Sequence, residues 1–252
     1  MRVDRSRLRS AMKQEEELFV RLHPRSADIA RSQSANLLSG VPMPWMSRWP
    51  GAFPLTVDGA TGASFIDVDG IEYIDFCLGD TGAMTGHGLA VVAEALYRQS
   101  NKGITTMLPS PDAGWVATEL ERRFGLPKWQ LAMSATDANR FVLRLARMLT
   151  GRTRVCVMDW CYHGTVDETL AILDSNGHVI SRPGAIGPQI DPAVTTKVVP
   201  FNDARALEDA LADRDVACVL MEPALTNIGI VLPDAGYLDR VREITRRFGT
   251  LL

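Results

Sequence analysis

The sequence predicts an α/β fold: a mainly parallel sheet flanked by helices, preceded by a helical arm and a β-hairpin segment. Three observations carry this. From about residue 89, helical periods alternate with short apolar runs, the pattern of strand–helix units that build a parallel sheet. Val216 to Met221 is continuously apolar, as a strand buried on both faces should be. Small, aromatic and polar residues follow several of these runs directly, and open α/β sheets bind ligands beyond the carboxyl ends of their strands.

The elements follow in order. Residues 4–36 are charged with a helical period, and Leu18, Phe19 and Leu22 form a short apolar stripe. Gly40 to Met46 holds two prolines and breaks that helix, as surface cover or as a pocket wall. Phe65 to Phe76 alternates around a Val-Asp-Gly turn, a hairpin signal. Helices are expected over 89–101, 112–124, 136–149, 203–212 and 234–247, with strands at 130–133, 155–158, 196–199 and 216–221. Gly177 to Val194, rich in Gly, Pro and Ile, reads as a long loop. Thr250-Leu251-Leu252 follows a helix end at Gly249 and opens one more strand. The chain thus divides into residues 1–88, arm and hairpin, and residues 89–252, the α/β domain.

Composition narrows the function classes. With 46% hydrophobic and 23% charged residues, a sizeable soluble core is expected. The net charge of -3 offers no nucleic-acid footprint. No apolar run is long enough to cross a bilayer, and Met1 to Arg5 lacks an apolar leader, so a cytoplasmic protein is expected. Cys77, Cys156, Cys161 and Cys218 lack paired metal spacing; they read as buried free thiols, and no metal site is expected. The only lysines are Lys13, Lys102, Lys128 and Lys197.

Three motifs carry chemistry. Met133-Ser134-Ala135-Thr136-Asp137-Ala138 stands between an expected strand and an expected helix. A helix start offers free N–H groups and a positive dipole end, and small residues let an anion approach them. Ser134, Ala135 and Thr136 are therefore a candidate phosphate cup, although plain N-capping explains the same residues. Cys161-Tyr162-His163-Gly164 follows the strand at 155–158. The flat face of Tyr162 suits a flat heterocycle, and Gly164 allows a tight turn beside it; a semi-buried Tyr and a turn His163 are the plainer reading. Glu222-Pro223 leaves the strand at 216–221, and Asn227 lies five residues on. Both offer polar groups at a strand end, or a surface ion pair and a turn.

In this order the motifs resemble the pyridoxal-phosphate site of the class III aminotransferases, and within them the glutamate-1-semialdehyde aminomutase pattern. The resemblance runs from about Phe53 to Leu252 and includes Asp67 to Gly70, Gly86-His87-Gly88 and Leu145 to Arg152. Met133, Ala135 and Asp137 stand where the family's usual cup has Asn, Gly and Glu. The resemblance implies the fold type I architecture and pyridoxal 5'-phosphate as cofactor. It implies Ser134, Ala135 and Thr136 on the phosphate, Tyr162 on the ring beside His163, Asn227 near the phenolic oxygen, and Glu222 as the family's acid of the same turn. It further implies a homodimer that moves an amino group between an amine or amino acid and a 2-oxo acid. The aminomutase loop Ser-Pro-Val-Arg is here Met43-Pro44-Trp45-Met46, and Asp80 or a neighbour stands where that pattern has a Trp. Trp45, Met46 and Asp80 are thus candidate substrate-pocket residues that suit a bulkier or amine-bearing substrate, with the aminomutase reaction as the alternative. The family also needs a strand Asp and a Schiff-base Lys, and no lysine here follows a strand in the required region. Both are expected beyond Leu252, with the small C-terminal domain, and residues 1–252 alone are expected to be inactive. A non-catalytic remnant serving as a binding or assembly subunit is the alternative of another class.

Overall fold

The computed structural model describes residues 4–252. They form two compact units that divide between Ser110 and Pro111.

In the first unit the arm is two helices, α1 (Arg5–Leu22) and α2 (Pro24–Gln33). Pro24 starts α2 and stops α1, because it cannot donate the hydrogen bond that would continue the first helix. Between them the buried His23 ring contacts the Phe19 carbonyl and the Tyr73 hydroxyl, each at 2.6 Å. The expected hairpin is part of a three-stranded antiparallel sheet, β1 (Val57–Thr61), β2 (Ser64–Asp67) and β3 (Glu72–Ile74). Asp67 closes the β2–β3 turn by accepting from the N–H groups of Asp69 and Ile71. Sequence alternation missed β1, which reads Val-Asp-Gly-Ala-Thr and carries only one apolar residue larger than alanine. Helix α3 (Ala90–Ser100) ends the unit.

The second unit is an α/β layer. It contains α4 (Pro111–Phe124), α5 (Ala135–Thr150), β4 (Arg154–Met158), β5 (Ala171–Leu173), β6 (Val179–Ser181), α6 (Pro192–Thr195), β7 (Thr196–Val199), α7 (Ala204–Leu211), β8 (Val216–Leu220) and α8 (Tyr237–Phe248). The central sheet has the order β7-β4-β8, all parallel, with Val157 opposite both Val198 and Leu220. Leu251 pairs with β8 as a further parallel bridge, which matches the strand opening expected there. Val155 to Met158 have no exposure at all, because helices cover both faces. One cluster joins Cys156, Val216 and Val219 to Leu207 and Leu211 of α7 and Val241 and Ile244 of α8. The other joins Val155, Ala217 and Cys218 to Leu143 and Ala146 of α5.

Two expectations are corrected. Residues 130–133 form no strand: Met133 is 97% exposed and no backbone lies alongside to complete a ladder. The stretch from Gly177 to Val194 is not one loop. Asp174 accepts from the N–H groups of Asn176 and His178 and folds β5 against β6 as a hairpin. Cys77 is exposed, whereas the other three thiols are buried as expected.

Candidate active site

The site is built on the carboxyl edge of the parallel sheet in the second unit. β4 runs out at Met158, and the turn carrying Tyr162 follows. β8, its neighbour, runs out at Leu220, two residues before Glu222. The third contribution is the N-terminus of α5. Ser134 is its N-cap, accepting from the Asp137 N–H at 3.2 Å and donating to the Asp137 carboxylate at 2.9 Å. The capping reading of Ser134 is therefore realised in the structure. The N–H groups of Ala135 and Thr136 come ahead of the first intrahelical acceptor and face outward, as an anion site requires.

The turn and the helix start are one hydrogen-bonded assembly. Asn139 Nδ2 donates to the His163 carbonyl at 3.0 Å. The Thr165 N–H donates to Thr136 Oγ1 at 3.2 Å. An Arg140 nitrogen donates to the Thr165 carbonyl at 3.4 Å. Gly164 lies so close that a Cβ there would fall 2.1 Å from Thr136 Oγ1. Before the turn, Arg182 donates to the Cys161 carbonyl at 2.8 Å. Between these anchors the Tyr162 side chain is half exposed and presents a free face.

The polar groups at the strand ends are buried and under-used. His163 is 8% exposed and its Nε2 has no partner. Burial pushes its pKa below the ordinary imidazole value, against an opposing hydrogen bond to the Leu220 main chain. Glu222 accepts from Thr226 Oγ1 at 3.0 Å through one oxygen, while the other is buried without a partner. Cys161 is pushed up to about 12, first by burial and then by the Glu222 charge, so it stays a neutral thiol. Asn227 sits on an exposed turn closed by the Leu225–Val231 bridge.

The remaining expected residues lie in the first unit. Trp45 and Met46 fall on a short 3-10 segment, Pro44–Arg48, where Trp45 is largely exposed. Asp80 is exposed within a run of four left-handed residues, Leu78 to Thr81, which Asp75 supports from the N–H groups of Cys77 and Leu78. Sequence reasoning missed Asn139, Arg140 and Arg182. Only the spacing of Thr136, Asn139 and Arg140 on one helix face could have signalled the first two. Lys197 meets Asp213 and Asp215 at 3.0 and 2.9 Å near the amino edge of the sheet, away from the site. Among the described residues no group of His, Cys, Asp or Glu side chains could hold a metal ion.

The family model for class III aminotransferases matches residues 45–252. A glutamate-1-semialdehyde 2,1-aminomutase of Methanocella arvoryzae is 35% identical over 203 residues, which is 79% of this chain and 48% of the relative. The crystal structure of a glutamate-1-semialdehyde-aminomutase from Pseudomonas aeruginosa superposes with a TM-score of 0.94 at 50% identity, over 98% of this chain and 55% of that one; a variant of it has been crystallised in complex with PMP. An omega-transaminase from Sphaerobacter thermophilus superposes with a TM-score of 0.80 at 28% identity, over 89% of this chain and 53% of that one. The chain therefore spans about half the length of the relatives it matches.

Proposed function

The chain belongs to the class III aminotransferases, and from that premise we propose that the protein it forms part of moves an amino group between an amine or amino acid and a 2-oxo acid with pyridoxal 5'-phosphate. The observation that carries the proposal is the hydrogen-bonded union of an anion-ready helix start with the turn bearing Tyr162. The residues present fit the cofactor. Two free N–H groups meet the need of a phosphate, the free Tyr162 face meets that of a pyridine ring, and the unpartnered atoms of His163 and Glu222 lie at the same sheet edge. Buried polar atoms without partners are rare, so their concentration here is itself a sign of a ligand site.

When bound, the cofactor supplies an electron sink for the carbon that carries the amino group. This chain's residues hold and orient it. The amides of Ala135 and Thr136, with the α5 dipole behind them, take the phosphate. Tyr162 would fix the tilt of the ring, the Asn227 amide would donate toward its phenolic oxygen, and Glu222 would supply the acid of the same turn. His163 stays neutral, so it adds no charge beside the ring. The family resemblance supports Trp45, Met46 and Asp80 as substrate-contacting residues, and the Asp80 carboxylate would pair with a second amine of the substrate. The catalytic Lys is none of the four in this chain; Lys197 is held in its own ion pairs. The three buried free thiols support a cytoplasmic location, and the family resemblance supports a homodimer.

The test is an assay of the full-length enzyme with a panel of amines and amino acids against pyruvate and 2-oxoglutarate. Turnover that requires the 2-oxo acid, and an Asp80→Asn variant whose KM rises at least tenfold for diamines only, are expected. Isomerisation of glutamate 1-semialdehyde with no 2-oxo acid requirement supports the second reading, an aminomutase, which the 50% identity to the Pseudomonas aeruginosa protein favours.

A further inference from the structure

We propose that Asn139 is a positioning residue: it locks the ring platform to the anion cup, so that both meet one phosphorylated, flat heterocycle in a fixed relation. The inference rests on the cofactor reading above and deepens it. The Ser134 hydroxyl donates within the protein, and Thr136 Oγ1 is held by the turn as an acceptor that keeps its own proton. Ser134 caps α5, and Thr136 Oγ1 accepts from the Thr165 N–H. The cup is therefore built on the α5 main chain with the Thr136 hydroxyl proton beside it, and the Thr136, Asn139 and Arg140 side chains face the turn. Thr136, Asn139 and Arg140 lie three and four residues apart, on one side of the helix, and all three bond to the segment from His163 to Thr165.

Asn139 is the strongest of these links. Its contact is the shortest of the three and is partly buried, whereas that of Arg140 is long and exposed. Its acceptor is the carbonyl of the residue next to Tyr162. Arg182 fixes the carbonyl on the other side, at Cys161. With neighbours on both sides pinned, the Tyr162 ring keeps one tilt relative to the α5 amides. Without the Asn139 amide the His163 carbonyl loses its partner. The turn, which passes through the left-handed backbone of Gly164, then loses its tie to α5 on that side. The cup does not depend on Asn139, because its amides belong to the first turn of α5.

The test is a double-mutant cycle read by binding, in the full-length protein. Dissociation constants for pyridoxamine phosphate are measured by equilibrium dialysis, with inorganic phosphate as competitor. Asn139→Ala should weaken pyridoxamine phosphate about tenfold and leave the inhibition constant of inorganic phosphate within about twofold of wild type. Asn139→Leu keeps the approximate size but removes the donor without adding charge, and should behave like Asn139→Ala; a role in packing alone would leave it like wild type. In a Tyr162→Ala background, Asn139→Ala should have no further effect. Asn139 variants that bind like wild type, effects that add to those of Tyr162→Ala, or an equal loss of phosphate affinity would each overturn the assignment. A wild-type protein that takes phosphate but not pyridoxamine phosphate overturns the cofactor reading together with it.

Discussion

Replacing Gly164 by Ala tests the geometry of the site most directly. Gly164 has φ +80, and an added Cβ would lie 2.1 Å from Thr136 Oγ1 and 3.1 Å from the Thr136 Cα. A left-handed backbone costs a residue with a Cβ about 1–2 kcal/mol. The hydroxyl can rotate away, but it then abandons the Thr165 N–H, a loss of about 0.5–1.5 kcal/mol. The Cα of Thr136 is main chain in a helix and cannot yield, so the turn itself must shift. The sum is about 1.5–3.5 kcal/mol, which for a chain of this size lowers Tm by roughly 3–14 °C. Differential scanning calorimetry, with and without pyridoxamine phosphate, reads both the loss and its effect on the ligand. Adding Thr136→Ala should restore part of the Tm, because it removes the struck oxygen, while the left-handed strain remains. A Gly164→Ala protein that melts within about 1 °C of wild type and binds ligand equally would refute the close approach of turn and helix.

Three further outcomes are expected. His163 has a pKa depressed in the fold by burial, so the unfolded chain binds the proton more readily. Its contribution to stability is full above about pH 6.5 and is lost as pH falls from there toward the folded value; urea titrations across that window should show a slope that His163→Gln removes. Arg152 donates to the carbonyls of Val216 and Phe248 and to Thr250 Oγ1, tying the end of α8 to β8. Arg152→Ala should cost about 2–4 kcal/mol of unfolding free energy, read as a lower denaturant midpoint, and an unchanged midpoint would show that these bonds contribute no net stability. Tyr162→Ala should raise the pyridoxamine phosphate dissociation constant about tenfold with little change in Tm, since the ring is half exposed; equal affinity would remove it from the site.

The parts of this fold that were legible in the sequence are those set by local pattern. The runs expected at 155–158, 196–199 and 216–221 fall on β4, β7 and β8, because a strand buried on both faces is built largely of apolar residues. Helix ends were legible where Ser134 and Gly249 act on their own backbone, whereas the single helical period read over residues 4–36 is split at Pro24 into α1 and α2. The order of the Ser-Ala-Thr, Tyr-His-Gly and Glu-Pro motifs sufficed to point to the class III family. Pairing was not legible. The run at 130–133 has the composition of a strand but no neighbour, while β1 is polar yet pairs with β2. A ladder depends on what lies alongside, and that is a property of the whole chain.

The sequence by itself determined which residue types stand at the ends of the parallel strands and the start of α5, since these follow from local periodicity and capping. Only the tertiary structure decided how they are used. It committed the Ser134 hydroxyl to the cap and tied Thr136 Oγ1, as an acceptor, to the turn. It recruited Asn139 to a carbonyl 24 residues away, and it left His163 Nε2 and one Glu222 oxygen buried without partners. The physical reason is that a hydrogen bond is satisfied by whichever group arrives within reach, and long-range packing, rather than residue identity, settles which group arrives.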